Sequence, residues 1–251
     1  EEVNRRVAAA AASLHFAPTE LASKFLQAEG IDARRIHVVG NPVVDALRTG
    51  GFEPTPVGER EGIVLTAHRA TNVDDPERLE RLVRLALQLG EEQGGVTFPV
   101  HPRTRARLEA AGALERLDAP GVRLLPPVDY EQMVRLVAGA RVVVTDSGGL
   151  QEEAAFFGVP VVVLRQSTPR WEGVLAESSI LTGLDVELAL AAVARLSTPW
   201  EQARIAALPC PFGDGHTGER VAEALADAGI QPLLRLEEPS FVRRTPAEAP
   251  V

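Results

Sequence analysis

Five consecutive residues, Thr145-Asp146-Ser147-Gly148-Gly149, stand between the apolar run VVVT and the helix-like segment LQEEAAFFG. Glycines let a ligand come close to the backbone. The first amides of a helix have no acceptor within it, and the dipole puts positive charge at that end, so such a turn can hold an anion. Ser147 adds a hydroxyl donor. The plainer reading is an ordinary strand-to-helix turn with Ser147 as its N-cap. The segment is not a Walker A loop, since no Gly-Lys-Ser/Thr follows, and it is not GxGxxG. Glu152 and Glu153 come next, and acids suit the first helical turn whatever their function. Glu153, however, is roughly 9 Å along a helix from Ser147. A carboxylate there can accept from a ribose diol while a diphosphate sits at the glycine pair. Taken together, these residues suggest a nucleoside diphosphate rather than a bare anion.

Other candidates fall at the ends of neighbouring apolar runs. Arg165 and Arg170 flank Gln166-Ser167-Thr168-Pro169 after VVVL. Guanidinium forks suit phosphate oxygens, although either arginine alone reads as a surface residue. His68-Arg69 follows IVLT with one residue between, and His101-Pro102 follows VTFPV. One loop histidine means little, but two on successive strand ends carry more weight. No Cys or carboxylate stands at zinc spacing beside them, so no metal and no other cofactor is expected. A GxSxG elbow is absent, which argues against an α/β-hydrolase.

These residues need a sheet to carry them. Strands are expected at Ile63–Thr66, Val96–Val100, Val122–Leu125, Val142–Thr145 and Pro160–Leu164. Helices are expected between them at Pro76–Leu89, Thr104–Ala111, Tyr130–Ala138 and Leu150–Phe157, followed by Asp185–Arg195 and Gly218–Asp227. Continuous apolar strands alternating with helices mean βαβ units and a parallel sheet covered on both faces. Ligands of such sheets sit at the carboxyl ends of the strands. Ahead of this block, a helix is expected at Val3–Ala12, a strand at Leu14–Ala17, a helix capped by Thr19 and running to Ala28, and a strand at Ile36–Val39. The run TGGFEPTPVGER, residues 49–60, lacks periodicity and reads as a linker. The expected organisation is therefore an N-terminal portion at 1–48, a linker at 49–60, a nucleotide-binding domain at 61–198, helices packing back at 199–229 and a loosely ordered tail at 230–251.

The composition fits a globular protein: 251 residues, 45% apolar and 24% charged. No apolar run reaches the length of a membrane span. The net charge of −9 argues against sequence-independent nucleic-acid binding. The single Cys210 cannot form an internal disulfide, which favours a reducing, cytoplasmic setting.

In order and spacing, the stretches EEVNRR, LHFAPTE, HVVGNPVVDAL, LTAHRATN, FPVHPRT, TDSGGLQEEAAFFGVPVVVLR, TPRWEGV and PFGDGHTGER resemble the bacterial non-hydrolysing UDP-N-acetylglucosamine 2-epimerases. The likeness implies an α/β, GT-B-like architecture of two Rossmann-type domains with a UDP-sugar between them. It also implies epimerisation at C2 by UDP elimination and re-addition, in the setting of cell-wall polysaccharide synthesis. By this resemblance Ser147, Gly148 and Gly149 hold the diphosphate, Glu153 the ribose and Arg170 a phosphate, with Arg165 nearby. His68 assists the departure of UDP. Arg69 and His101 match contacts of a second, allosteric UDP-sugar. Glu1 matches the first acid of the family's EExNR stretch, one of its proposed catalytic carboxylates. Two departures stand out. The family's HRREN is here His68-Arg69-Ala70-Thr71-Asn72, and Met133 stands where a uracil-stacking Phe is common. The chain matches one whole domain and the end of another, so most of the N-terminal domain, with further carboxylates, is expected to be lacking. A catalytically incomplete UDP-sugar-binding module and a GT-B glycosyltransferase are the alternatives. A homodimer is the family's common assembly; no residue pattern points to an interface.

Overall fold

The computed structural model describes residues 2–234. The chain divides into two units by its contacts, a smaller one that runs to Val39 and resumes at Glu219, and a larger one over Gly40–Gly218. The smaller unit holds helix α1 (Glu2–Ala11), strand β1 (His15–Ala17), helix α2 (Glu20–Ala28) and strand β2 (Ile36–Val38), with β1 and β2 paired in parallel. Thr19 caps α2 as expected, accepting from the amide of Ala22 at 3.0 Å.

In the larger unit the elements run α3 (Pro42–Thr49), β3 (Glu61–Thr66), α4 (Ala70–Val73), α5 (Pro76–Glu92), β4 (Val96–Pro99), α6 (Pro102–Ala110), α7 (Leu114–Leu117), β5 (Val122–Leu125), α8 (Tyr130–Gly139), β6 (Ala140–Thr145), α9 (Gly148–Phe156), β7 (Val161–Val163), α10 (Trp171–Leu175), β8 (Ser179–Leu181), α11 (Val186–Leu196) and α12 (Pro199–Ala206). Helix α13 (Thr217–Ala226) follows. The six strands form one parallel sheet in the order β5-β4-β3-β6-β7-β8. Alternate side chains of a strand point to opposite faces, and here both faces are covered. Ile63, Leu65, Val142 and Val144 pack into one core with residues of α5 and α11. Val64, Val143, Val161 and Val163 pack into another with residues of α8 and α9. That double burial is why the strands read as unbroken apolar runs.

The sheet order places β3 and β6 side by side at its centre. From these two strands the chain winds outward in opposite directions, so their carboxyl ends mark the switch point where a ligand crevice forms. His68 follows β3 and Ser147 follows β6. The threonines that end the strands, Thr66 and Thr145, share a buried hydrogen bond of 2.7 Å.

Several elements differ from the sequence-based expectation. Gly40-Asn41-Pro42 closes a strand, but it also opens α3: the Asn41 side chain accepts from the Val43 amide at 3.0 Å, and Pro42 takes the first helical position. Residues 49–60 belong to the larger unit. Phe52 packs against its core, and Arg60 is buried. The division of the chain at Val39 and Gly218 differs from the expected boundaries at 48 and 198, and α12 lies in the larger unit. Strand β8 and the short helices α4, α7 and α10 carry too few residues to show a period. Of the tail, Ala228–Leu234 forms 3-10 turns with Ile230 buried, and residues 235–251 lie outside the described part.

Candidate active site

Ser147 takes the N-cap position of α9, yet its side chain makes no capping hydrogen bond. Its amide donates to the Thr145 hydroxyl at 3.0 Å, which fixes the turn. The amides that follow have no helical acceptor by geometry, and no side-chain cap covers them. The two glycines differ. A Cβ on Gly149 would meet no atom within 4 Å, so the backbone there faces open space. A Cβ on Gly148 would stand 3.2 Å from the Arg170 guanidinium carbon, so Arg170 lies over this residue. Arg170 is held in turn by Glu152, Nε to carboxylate at 2.8 Å. Thr168 braces the loop from behind, its hydroxyl donating to Gln151 at 2.8 Å and accepting from the Arg170 amide at 3.1 Å.

Both glutamates of α9 are largely buried. Burial pushes the Glu152 carboxyl above the ordinary carboxylate range, against the pull of Arg170. Burial does the same to Glu153, against a hydrogen bond from Tyr130. The Tyr130 phenol is itself pushed up, by burial first and then by the Glu153 charge.

On the β3 side, His68 and His101 bring their rings to 5.2 Å between centroids. The His101 side chain also caps α6, its Nδ1 accepting from the Arg103 amide at 3.2 Å. Burial, and next the neighbouring His68 ring, push His101 below the usual imidazole range. Arg69 turns inward, and its Nε donates to the Asp146 carbonyl at 3.0 Å. A cavity of about 220 Å³ opens beside these groups, lined by His68, His101, Pro127, Met133, Ser147 and Leu150 among others. Ser147, His68, His101 and Met133 thus share one cavity, and Gly148 and Arg170 adjoin it through the turn. Arg165 is tied through its carbonyl to the Gly183 amide at 3.1 Å. Glu1 lies outside the described residues.

Four residues given no individual role by the motif reading are central here: Asp146, Asn72, Glu152 and Tyr130. Asp146 is wholly buried and accepts from the amides of His68 and Arg69 and from Asn72. Glu152 holds Arg170, and Tyr130 holds Glu153. Only Asp146 had a local signal, an acid placed directly after a buried strand. The partners of the other three come from elsewhere in the chain.

Among the described residues no cluster of His, Cys, Asp and Glu could hold a metal ion. Among them, too, no helix is long and apolar enough to cross a membrane. The arrangement suits an extended anion lying on the α9 turn, with a hydroxyl, free amides and a guanidinium on it and an imidazole beside it.

A family model described as UDP-N-acetylglucosamine 2-epimerase matches residues 1–226. The UDP-N-acetylglucosamine 2-epimerase of Methanocaldococcus jannaschii is 34% identical over 241 residues, covering 90% of this chain and 64% of that protein. The enzyme of the same name from Bacillus subtilis strain 168 is 38% identical, covering 90% of this chain and 60% of that protein. The chain therefore spans less than two thirds of the length of these curated relatives. The crystal structure of the M. jannaschii epimerase in complex with UDP-GlcNAc and UDP superposes with a TM-score of 0.78 at 34% identity, over 90% of this chain and 64% of that one. Its α/β, GT-B-like class is the class expected from the sequence.

Proposed function

The chain belongs to the UDP-N-acetylglucosamine 2-epimerase family, and from that premise we propose that it supplies the UDP-binding half of an enzyme interconverting UDP-N-acetylglucosamine and UDP-N-acetylmannosamine. The observation that carries this reading is the uncapped start of α9. Ser147, Gly148 and Gly149 offer donors to a diphosphate, with Arg170 fixed over Gly148. Glu153 is the ribose acceptor in this reading, and the cavity beside Met133 takes the uracil. Arg165 serves the phosphates from the end of β7, and Arg69 and His101 serve a second nucleotide sugar.

The reaction balances as an elimination and its reverse. The C2 proton leaves and the C1–O bond to UDP breaks, giving 2-acetamidoglucal and UDP. UDP then re-adds at C1, and a proton arrives on the opposite face of C2. His68 stands where a hydrogen-bond donor stabilises the departing diphosphate, worth most in a site shielded from water. Glu1 is the one carboxylate of this chain assigned to C2 chemistry. A homodimer and a cytoplasmic setting accompany the reading, the second supported by the unpaired Cys210.

The test is incubation with UDP-N-acetylglucosamine in heavy water. The reading predicts UDP-N-acetylmannosamine carrying deuterium at C2 from the enzyme that contains this chain. Saturable UDP binding without product would limit this chain to the binding half. Transfer of the sugar to an acceptor would replace the reading with a glycosyltransferase.

A further inference from the structure

Resting on the reading that His68 meets the departing diphosphate, we propose that Asp146 is a positioning residue for His68 and that Asn72 holds Asp146 in that task. Asp146 lies at the end of β6, His68 and Arg69 at the end of β3. Its carboxylate accepts from the His68 amide at 3.1 and 3.2 Å and from the Arg69 amide at 3.0 Å. Two consecutive amides of one loop are thus clamped by a side chain of the adjacent strand, which fixes where the His68 ring can stand.

The same carboxylate does one thing more. Its Oδ1 lies 3.5 Å from His68 Nδ1. A structural acceptor would be satisfied by the two amides and Asn72, so its placement against the ring nitrogen is surplus to folding. A buried carboxylate facing Nδ1 favours a proton there, since a lone pair would meet its negative charge. Nε2 then keeps its lone pair in the neutral ring and, on protonation, directs its N–H away from Asp146. The other groups about the ring are His101, at 5.2 Å between centroids, and the neighbouring Arg69.

Asn72 has no freedom to flip. Its Nδ2 donates to Asp146 at 2.9 Å and to the Leu164 carbonyl at 3.0 Å, while its Oδ1 accepts from Arg78 at 2.8 Å. The amide is fully occupied in one orientation. A relay therefore runs from half-buried Arg78 on α5 through the buried Asn72 and Asp146 to His68.

The experiment is a two-bond ¹⁵N–¹H correlation on this chain with ¹⁵N-labelled histidine at alkaline pH, where the tautomer is read directly. His68→Gln assigns the signal. The expected result is His68 in the Nδ1–H form, against the Nε2–H form that free imidazole prefers. Asp146→Asn is expected to return it toward Nε2–H, and Asn72→Ala to do so in part. An Nε2–H His68 in the wild-type chain overturns the proposal, as does an unchanged tautomer in a folded Asp146→Asn. If that variant does not fold, the wild-type tautomer still decides. Saturating UDP separates this inference from the functional reading. An Nδ1–H His68 whose signals ignore bound UDP upholds the role of Asp146 and removes His68 from the diphosphate.

Discussion

The two ends of helix α9 are finished in opposite ways. At the carboxyl end, the carbonyls of Phe157 and Gly158 each accept from the Arg60 guanidinium at 2.7 Å. Gly158 has φ +61 and packs so closely that a Cβ would stand 2.8 Å from Ala206 Cα. Arg60 is only 6% exposed, and burial pulls its guanidinium below the ordinary range. At the amino end, the serine at the cap position caps nothing and Gly149 faces open space. One helix thus shows that the chain can seal a terminus when it needs to. In the proposed reading, the uncapped donors at the other terminus meet a ligand.

The contrast can be broken at either end. The largest effect is expected from Arg60→Ala, which strips two buried carbonyls of their donors. It should lower unfolding free energy by about 2–6 kcal/mol in urea titrations, at about 1–3 kcal/mol per unsatisfied group. Unchanged stability would mean that Arg60 does not seal the helix. Next comes Arg170→Ala, expected to weaken UDP binding by about 1–3 kcal/mol, the usual range for a charge-assisted bond. Calorimetry reads it, and an unchanged affinity would move the anion elsewhere.

A smaller effect belongs to Glu153→Gln. Burial raises the folded-state value of Glu153 above 4.5, so the stability tied to its protonated form is present below that pH. It is lost as pH rises through the raised value. The neutral variant should match the wild type in acid and melt higher at neutral pH, while binding UDP more weakly. Melting curves that run parallel across both pH values would refute the buried-carboxylate account. The smallest change is expected in the stability of Ser147→Ala. A working N-cap serine costs about 1 kcal/mol to remove, whereas here the shift should stay below about 0.5 kcal/mol. A full capping loss would show that Ser147 is an ordinary cap after all.

The sheet was legible because buried parallel strands write themselves as apolar runs: Val142 to Val144 need no context to be read. The glycine turn was legible because its position between strand and helix follows from those runs. What escaped reading depends on partners far along the chain. Residues 49–60 look like a linker because nothing nearby reveals that Arg60 reaches Phe157 and Gly158, nearly a hundred positions on. Asn41-Pro42 serves as both strand stop and helix start, and local rules name only the first role seen. Glu153 was singled out over Glu152 by distance from Ser147, yet Glu152 holds Arg170, a pairing that depends on how the Arg170 loop folds back. Asp146 sat inside the recognised motif, but its donors, the amides of His68 and Arg69 and the side chain of Asn72, lie 74 to 78 positions upstream.

The central claim is that the open end of α9 receives a diphosphate, and isothermal titration of this chain with UDP tests it most directly. The account predicts saturable binding at one site, weakened at least several-fold in Arg170→Ala and also reduced in Ser147→Ala. Absence of UDP binding by the folded wild-type chain, or equal affinity in all three proteins, would contradict it.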